Sequence, residues 1–162
     1  MLEVAKDQSG PLIKQVSFFL KNRIGALLGV VRRLEENNVH ICALSILDSA
    51  DHAVIRMVVD RPSLALETLK EQGLTVFETE LLGVEVSQPQ HGKTGIRKIL
   101  SALLLAEINV HYVYSLIAHA HEDHRPVFAL HVDDVPTSVQ VLRNHGLTIV
   151  GQDEISWDYD SV

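Results

Sequence analysis

The sequence predicts an α+β protein made of two ferredoxin-like βαββαβ modules in tandem, each with an antiparallel sheet and its helices on one face. The first observation is an internal repeat. Asn38-Val39-His40 recurs as Asn109-Val110-His111 at an offset of 71 residues, and Gly73-Leu74-Thr75-Val76 recurs as Gly146-Leu147-Thr148-Ile149 at an offset of 73. The second observation is that apolar alternation and helical stripes follow one another in the same order in both copies. We therefore expect a duplication, with two extra residues in a loop near residues 119–125.

The first copy begins with a short strand and a helix. Residues 15–20 alternate apolar and polar side chains, which is typical of a half-buried strand. After a turn, Leu27, Val31 and Leu34 recur at helical spacing. The helix should end near residues 37–38, because both are asparagine.

The rest of the first copy contributes two strands, a helix and a last strand. Strands are expected over residues 40–47 and 53–59, joined by a polar hairpin. Pro62 suits the first turn of a helix, where its missing N–H has no partner to lose, and Gly73 suits the end of that helix. The fourth strand should cover residues 74–80.

The second copy repeats this order. Strands are expected over residues 82–87, 111–118, 127–132 and 147–155, with helices over residues 96–107 and 135–145. Because no linker separates the copies, modules at residues 12–80 and 81–156 should pack together, followed by an acidic tail at residues 157–162. The helix-free face of each sheet would then be covered by the other module or by a second chain.

The composition narrows the classes of function. The chain has 162 residues, of which 46% are hydrophobic, and this excludes a wholly disordered protein. A formal net charge of −7 disfavours binding to nucleic acid or to anionic membranes. The single cysteine, Cys42, cannot form an intrachain disulfide and lies in an apolar run, so we expect a buried thiol and a cytoplasmic protein.

The candidate site is the turn after the first strand, Asn22-Arg23-Ile24-Gly25-Ala26-Leu27. A glycine allows the backbone to approach a ligand closely, and the helix that follows offers unpaired N–H groups to a carboxylate. The amide of Asn22 can both donate and accept, as the ammonium and carboxylate of an amino acid require. The alternative is that Asn22 and Gly25 only shape the turn.

This turn, followed by Asn38-Val39-His40, resembles the signature of ACT domains, which are βαββαβ modules that bind amino acids and regulate metabolic enzymes. The resemblance covers nearly the whole chain as two modules. It implies a non-catalytic regulator without a cofactor, which binds a small amino acid and forms a homodimer, with a metabolic enzyme or another regulator as its partner. Asn22 and Gly25 match the ligand loop of the family, whereas Ile24 replaces its usual proline.

Four further positions enter the predicted ligand site through the resemblance and the repeat. His40 stands where the family often has asparagine, and His111 is its match in the repeated tripeptide. In the second copy the loop reads His91-Gly92-Lys93-Thr94-Gly95-Ile96, which keeps a glycine at Gly95 but lacks the asparagine. Either this second site has degraded, or Gly95 and Ile96 contribute to a composite site with the first copy.

The sequence also offers features of two other classes of function, a metal-binding protein and an enzyme. His119, His121 and His124 stand close to two carboxylates and have the chemistry of a transition-metal site, but they fall in a predicted hairpin, where polar residues are expected anyway. No nucleophile elbow, P-loop, zincin helix or dinucleotide fingerprint is present to indicate an enzyme. A metal-binding protein or a pure protein-interaction module therefore remains as the alternative to the amino-acid sensor.

Overall fold

The computed structural model describes residues 12–86, 95–117 and 125–155. Its strands and helices follow one another in the order that the sequence predicts, so the fold class of two ferredoxin-like modules is confirmed. The elements are β1 Ile13–Lys21, α1 Ala26–Glu36, β2 Ile41–Ser49, β3 His52–Val59, α2 Pro62–Glu71, β4 Val76–Glu85, α3 Gly95–Leu105, β5 Val110–Ser115, β6 Val127–Val132, α4 Val135–Asn144, β7 Thr148–Val150 and a 3₁₀ turn Gln152–Glu154.

The two modules share one strand. Two strands were predicted over residues 74–80 and 82–87, but β4 is continuous from Val76 to Glu85. Its first part pairs with β1 as far as Leu81, and from Leu82 onward it pairs with β6 and β7. One antiparallel sheet results, in the order β2-β3-β1-β4-β6-β5, with β7 also paired to β4. The expected boundary between residues 80 and 81 falls next to this change of partner, and as a domain boundary it stays a prediction.

Three apolar cores follow from this sheet. The first lies between α1, α2 and the first module's strands, and the second lies between α3, α4 and the second module's strands. The third, which we call the central core, joins the helix-free faces of the two modules. Its buried members are Ile13, Cys42, Ala43, Val58, Leu81, Leu116, Val127, Ala129, Val150 and Ile155. Each module therefore covers the face that its partner module leaves open.

Polar groups beside the central core fix the two modules to each other. Gln15 of β1 is buried, its Nε2 donates to the hydroxyl of Tyr112 at 2.9 Å, and its Oε1 accepts from the hydroxyl of Tyr114 at 2.7 Å. The guanidinium of Arg56 lies 4.0 Å from the ring centre of Tyr112, within the range of a cation–π contact. At the ends of the sheet, the N–H of Ile117 donates to the carbonyl of Cys42 at 2.6 Å. The sheet is thus curled on itself.

The structure corrects the alignment of the two copies. Asn38 and Glu107 are the residues with positive φ after α1 and α3, at 57° and 56°. His40 and Asn109 follow them two residues later. The backbone N–H of His40 donates to Asp60, just after β3, at 2.8 Å, and that of Asn109 donates to Asp133, just after β6, at 3.1 Å. The offset here is 69 residues, so pairing Asn38-Val39-His40 with Asn109-Val110-His111 was wrong by two positions.

The other repeated segment keeps the offset that the sequence indicated. Gly73 and Gly146 have φ values of 75° and 71° and end α2 and α4 in the same way. Because the offset grows from 69 to 73, the second copy contains four more residues than the first between these points, rather than two. His111 therefore corresponds to Cys42, and both residues lie at register shifts in their strands.

Candidate functional site

The predicted ligand loop connects β1 to α1 at one end of the first module. Gly25 precedes the helix with φ 81° and ψ −8°, a left-handed conformation that glycine adopts without strain. No side chain caps α1, and its first turn has no acidic residue. Among the described residues, the positive end of the helix dipole is therefore left without a negative partner, which suits a ligand carboxylate.

Asn22 holds this loop to the hairpin between β2 and β3. Its Nδ2 donates to Oδ1 of Asp48 at 3.0 Å, and its backbone N–H donates to the carbonyl of Asp51 at 3.1 Å. The structure therefore gives Asn22 a positioning role in the loop, and it places an exposed carboxylate beside it. A contact between Asn22 and a ligand stays a prediction.

Two adjoining grooves lie at the loop. The larger has a volume of ≈ 650 Å³, and the smaller, of ≈ 390 Å³, reaches His52 and Thr75. Both grooves are lined by Leu20, Arg23, Ala26 and Leu74. The larger one is also lined by Ile24, Gly25, Gly29, Val30 and Gln72. Aliphatic side chains and a guanidinium thus meet at the start of a helix, a combination that can hold an anionic group next to an apolar one.

The other residues of the predicted turn divide into exposed and packed positions. The side chain of Ile24 is fully exposed, whereas Leu27 packs against the core of the first module. A Cβ atom built at Gly25 would meet no atom of residues 12–86, 95–117 or 125–155 within 4 Å. Positive φ therefore explains this glycine without any close contact to the protein itself, and the space beside it is open to a ligand.

His40 lies away from the two grooves and contacts a buried carboxylate. Its Nδ1 lies 3.2 Å from Oδ2 of Asp60, whose side chain is almost fully buried. The residues that line the two grooves do not include His40. The arrangement of the described residues explains His40 as the partner of a buried carboxylate, and its role toward a ligand stays a prediction.

The second module's predicted site residues are not brought to the grooves of the first. Gly95 is the first residue of α3 and corresponds to Ala26 rather than to Gly25 at the offset of 69. A Cβ atom on Gly95 would collide with the side chain of Val86, so this glycine allows α3 to pack closely on the strand. Ile96 packs against the core of the second module. Residues 91–94 lie outside the described residues.

His111 belongs to a cluster of rings that sequence reasoning missed. Its ring centre is 4.9 Å from that of His131, which in turn lies 5.0 Å from that of Tyr112. The Nδ1 atom of His131 is buried and has no hydrogen-bond partner within the described part of the chain. Burial lowers the pKa of His131, and the nearby His111 and Arg56 lower it further. These residues come from β3, β5 and β6, so no local motif could have indicated the cluster.

The alternative metal site cannot be described, because His119, His121 and His124 lie outside the described residues. Within residues 12–86, 95–117 and 125–155, no group of three or more histidine, cysteine or acidic residues has the arrangement to hold a metal ion. In the same ranges no helix is both long and apolar enough to cross a membrane.

Known proteins resemble the chain in sequence pattern and in fold. A protein from Bacteroides thetaiotaomicron superposes with a TM-score of 0.77 at 23% identity, over 89% of this chain and 95% of that one. The regulatory subunit of aspartate kinase from Thermus thermophilus has a TM-score of 0.58 at 12% identity, over 82% and 91% of the two chains. The corresponding subunit from Thermus flavus has a TM-score of 0.54 at 11% identity, over 83% and 94%.

At these identities the three structures show the fold alone. No curated protein sequence matches the chain. The sequence pattern of one family, described as an ACT domain pair, matches residues 12–156, which include both modules from the start of β1 to the last described turn. The chain therefore belongs to the family of ACT domain pairs.

Proposed function

We propose that this protein is a non-catalytic regulator that binds a small amino acid in the grooves beside the loop between β1 and α1. The observation that carries the proposal is the uncapped start of α1, which opens into a groove lined by Arg23 and by aliphatic side chains. Membership of the ACT family supports a regulatory role, and the fold is shared with regulatory subunits of aspartate kinase.

The groups around the loop can bind each part of an amino acid. The start of α1 and the guanidinium of Arg23 attract the carboxylate. Leu20, Val30 and Leu74 would contact an aliphatic side chain. We assign the ammonium group to the carboxylate of Asp48, which Asn22 holds at the loop, although Asn22 and Asp48 are not among the residues that line the two grooves. A small zwitterion therefore fits this site better than a purely anionic ligand does.

The remaining parts of the proposal concern the second module and the partners. Gly95, Ile96 and His111 belong to the proposed ligand site only if residues of the second module or of a second chain reach the loop. In this proposal the protein is a homodimer, and a metabolic enzyme or another regulator binds differently to the ligand-bound and ligand-free forms. The ligand would act by favouring one packing of modules over another. A cytoplasmic location stays a prediction.

A thermal-shift screen against the twenty standard amino acids tests this function. An amino acid at about 100 times its dissociation constant should stabilise the protein by about 2.7 kcal/mol. Asn22→Ala should reduce this stabilisation, to about half for a tenfold loss of affinity. Asn37→Ala is the matched control, because Asn37 also donates one side-chain hydrogen bond but lies at the opposite end of α1. An equal shift in the wild type and Asn22→Ala would refute the assigned site, and a wild type that responds to none of the twenty would favour a protein-interaction module.

Asp48→Ala separates two ways in which Asn22 could act. If Asn22 only positions the loop, removing its acceptor should weaken binding as much as Asn22→Ala does. If Asn22 contacts the ligand directly, Asn22→Ala should weaken binding by about tenfold more, because a hydrogen bond to a charged group is lost as well. The proposed contact between the ligand ammonium and Asp48 predicts the opposite order, with Asp48→Ala the more damaging change.

A further inference from the structure

α1 and α3 occupy the same position in the two modules, yet their exposed surfaces differ. At the offset of 69 residues, α3 has Leu104 and Leu105 where α1 has Glu35 and Glu36. Leu100, Leu104 and Leu105 are 40%, 74% and 79% exposed. α1 exposes one leucine, Leu28 at 52%, near its start, whereas α3 exposes Leu100 and Leu104 one turn apart, and such a paired apolar surface marks an interaction site.

Four exposed residues form one stripe along α3 and the turn that ends it. Arg97, Leu100 and Leu104 are spaced by three and four residues, so they lie on one flank of α3, and Glu107 follows in the turn two residues after the helix ends at Leu105. The stripe has a base at its start, two leucines in the middle and an acid at its end. An antiparallel copy of the same stripe is therefore its chemical complement.

We propose that α3 is the dimer interface, and that it packs antiparallel against α3 of a second copy of this chain around a twofold axis. In the register that centres the axis near Ala102, Leu100 meets Leu104 of the partner subunit and Arg97 meets Glu107 of the partner subunit. Each contact occurs twice, because a twofold interface uses the same patch on both subunits. This inference deepens the homodimer of the proposed function by naming its surface.

The equivalent stripe on α1 does not have this property. Its residues are Leu28, Val31, Glu35 and Asn38, which place no base opposite the acid in an antiparallel pair. The same position in the same fold thus tolerates an exposed glutamate at Glu35. Leu104→Glu introduces on α3 the residue type that α1 already has, so the variant should fold.

Sedimentation of the purified protein over a range of concentrations, without added amino acid, tests the interface. The wild type should be a dimer, and Leu104→Glu should raise its dissociation constant by about tenfold or more. Leu105→Glu is the matched control, because Leu105 is equally exposed but lies about 100° further around the helix, and it should leave the dimer intact.

A charge exchange tests the antiparallel register itself. Arg97→Glu should weaken the dimer, because it places two acids against each other in both contacts, and adding Glu107→Arg should restore it. A monomeric wild type, an equal effect of Leu104→Glu and Leu105→Glu, or a double variant as weak as Arg97→Glu would each overturn the proposal. Ligand binding is measured separately by thermal shift, so its failure would be distinguishable from a failure of this interface.

Discussion

Gly83 offers the sharpest test of the strand that the two modules share. It lies in β4 just after the strand changes partner, opposite Val150 of β7. A Cβ atom at this position would collide with the backbone carbonyl oxygen of Val150 and with the Cδ1 atom of Ile13. The isoleucine side chain can move, but the carbonyl belongs to the β4–β7 pairing and cannot move without disturbing the sheet. Gly83→Ala should therefore overpack the junction.

The expected cost is about 1–3 kcal/mol, the usual range for overpacking a buried site. For a chain of this size, that corresponds to a fall in Tm of about 2–12 °C. Differential scanning calorimetry without ligand is the assay. Gly29→Ala is the matched control, because Gly29 is exposed within α1 and its Cβ would meet nothing within 4 Å.

The control should change stability in the opposite direction. Alanine in the interior of a helix is favoured over glycine by about 0.5–1 kcal/mol, so Gly29→Ala should raise Tm. The same substitution would thus destabilise one site and stabilise the other. A Gly83→Ala variant that is as stable as the wild type would refute the tight passage of β4 between Ile13 and β7.

Three further predictions concern the junction between the modules. Gln15→Leu should lower the free energy of unfolding, measured in urea, by about 1–3 kcal/mol, because the hydroxyls of Tyr112 and Tyr114 lose their partner. Changing both tyrosines to phenylalanine as well should restore part of the loss. A Gln15→Leu variant as stable as the wild type would contradict this prediction. Burial lowers the pKa of His131, and His111 and then Arg56 lower it further. The folded state therefore binds a proton at His131 less readily than the unfolded state does, so the free energy of unfolding should fall as the pH drops below 6.5. His131→Phe should flatten this fall relative to the exposed-histidine control His145→Gln, and an unchanged slope would count against it. Burial, and to a smaller extent the charge of Asp60, raises the pKa of Cys42 to about 12. Iodoacetamide should therefore label this thiol only in denaturant. Rapid labelling of the native protein would contradict the burial of Cys42 in the central core.

The element order was predictable because each element has a local signal. Pro62 starts α2, Gly73 and Gly146 end α2 and α4, and apolar alternation indicates the strands. The shared strand was not predictable. Residues 81–84 are buried in succession, and a run of buried residues does not show that a strand leaves one module and enters the next.

The alignment of the repeat failed for a different reason. The recurring letters of the tripeptide suggested one offset, whereas the backbone depends on the left-handed residue that ends each helix. That residue is Asn38 in one copy and Glu107 in the other, and glutamate carries no signal for this conformation. As a result, His111 was given a place beside His40 that the structure assigns to Asn109.

The loop of the candidate site was the part best indicated by local sequence. Gly25 has the positive φ that its position in the motif requires, and the grooves lie beside the turn. What the sequence could not indicate were the contacts between distant elements. The hydrogen bond from Asn22 to Asp48 and the ring contact of His111 with His131 both depend on how strands pair.

A titration of ¹⁵N-labelled protein with each of the twenty standard amino acids, followed by two-dimensional NMR, tests the central claim most directly. If the carboxylate of the ligand binds at the start of α1, one amino acid should shift the amide resonances of Gly25, Ala26 and Leu27 in a saturable way, with no comparable shift at the far end of the helix. The same titration of Asn22→Ala should need a much higher concentration of the amino acid to produce these shifts. Saturable shifts confined to other parts of the chain, or none with any amino acid, would contradict the proposed site.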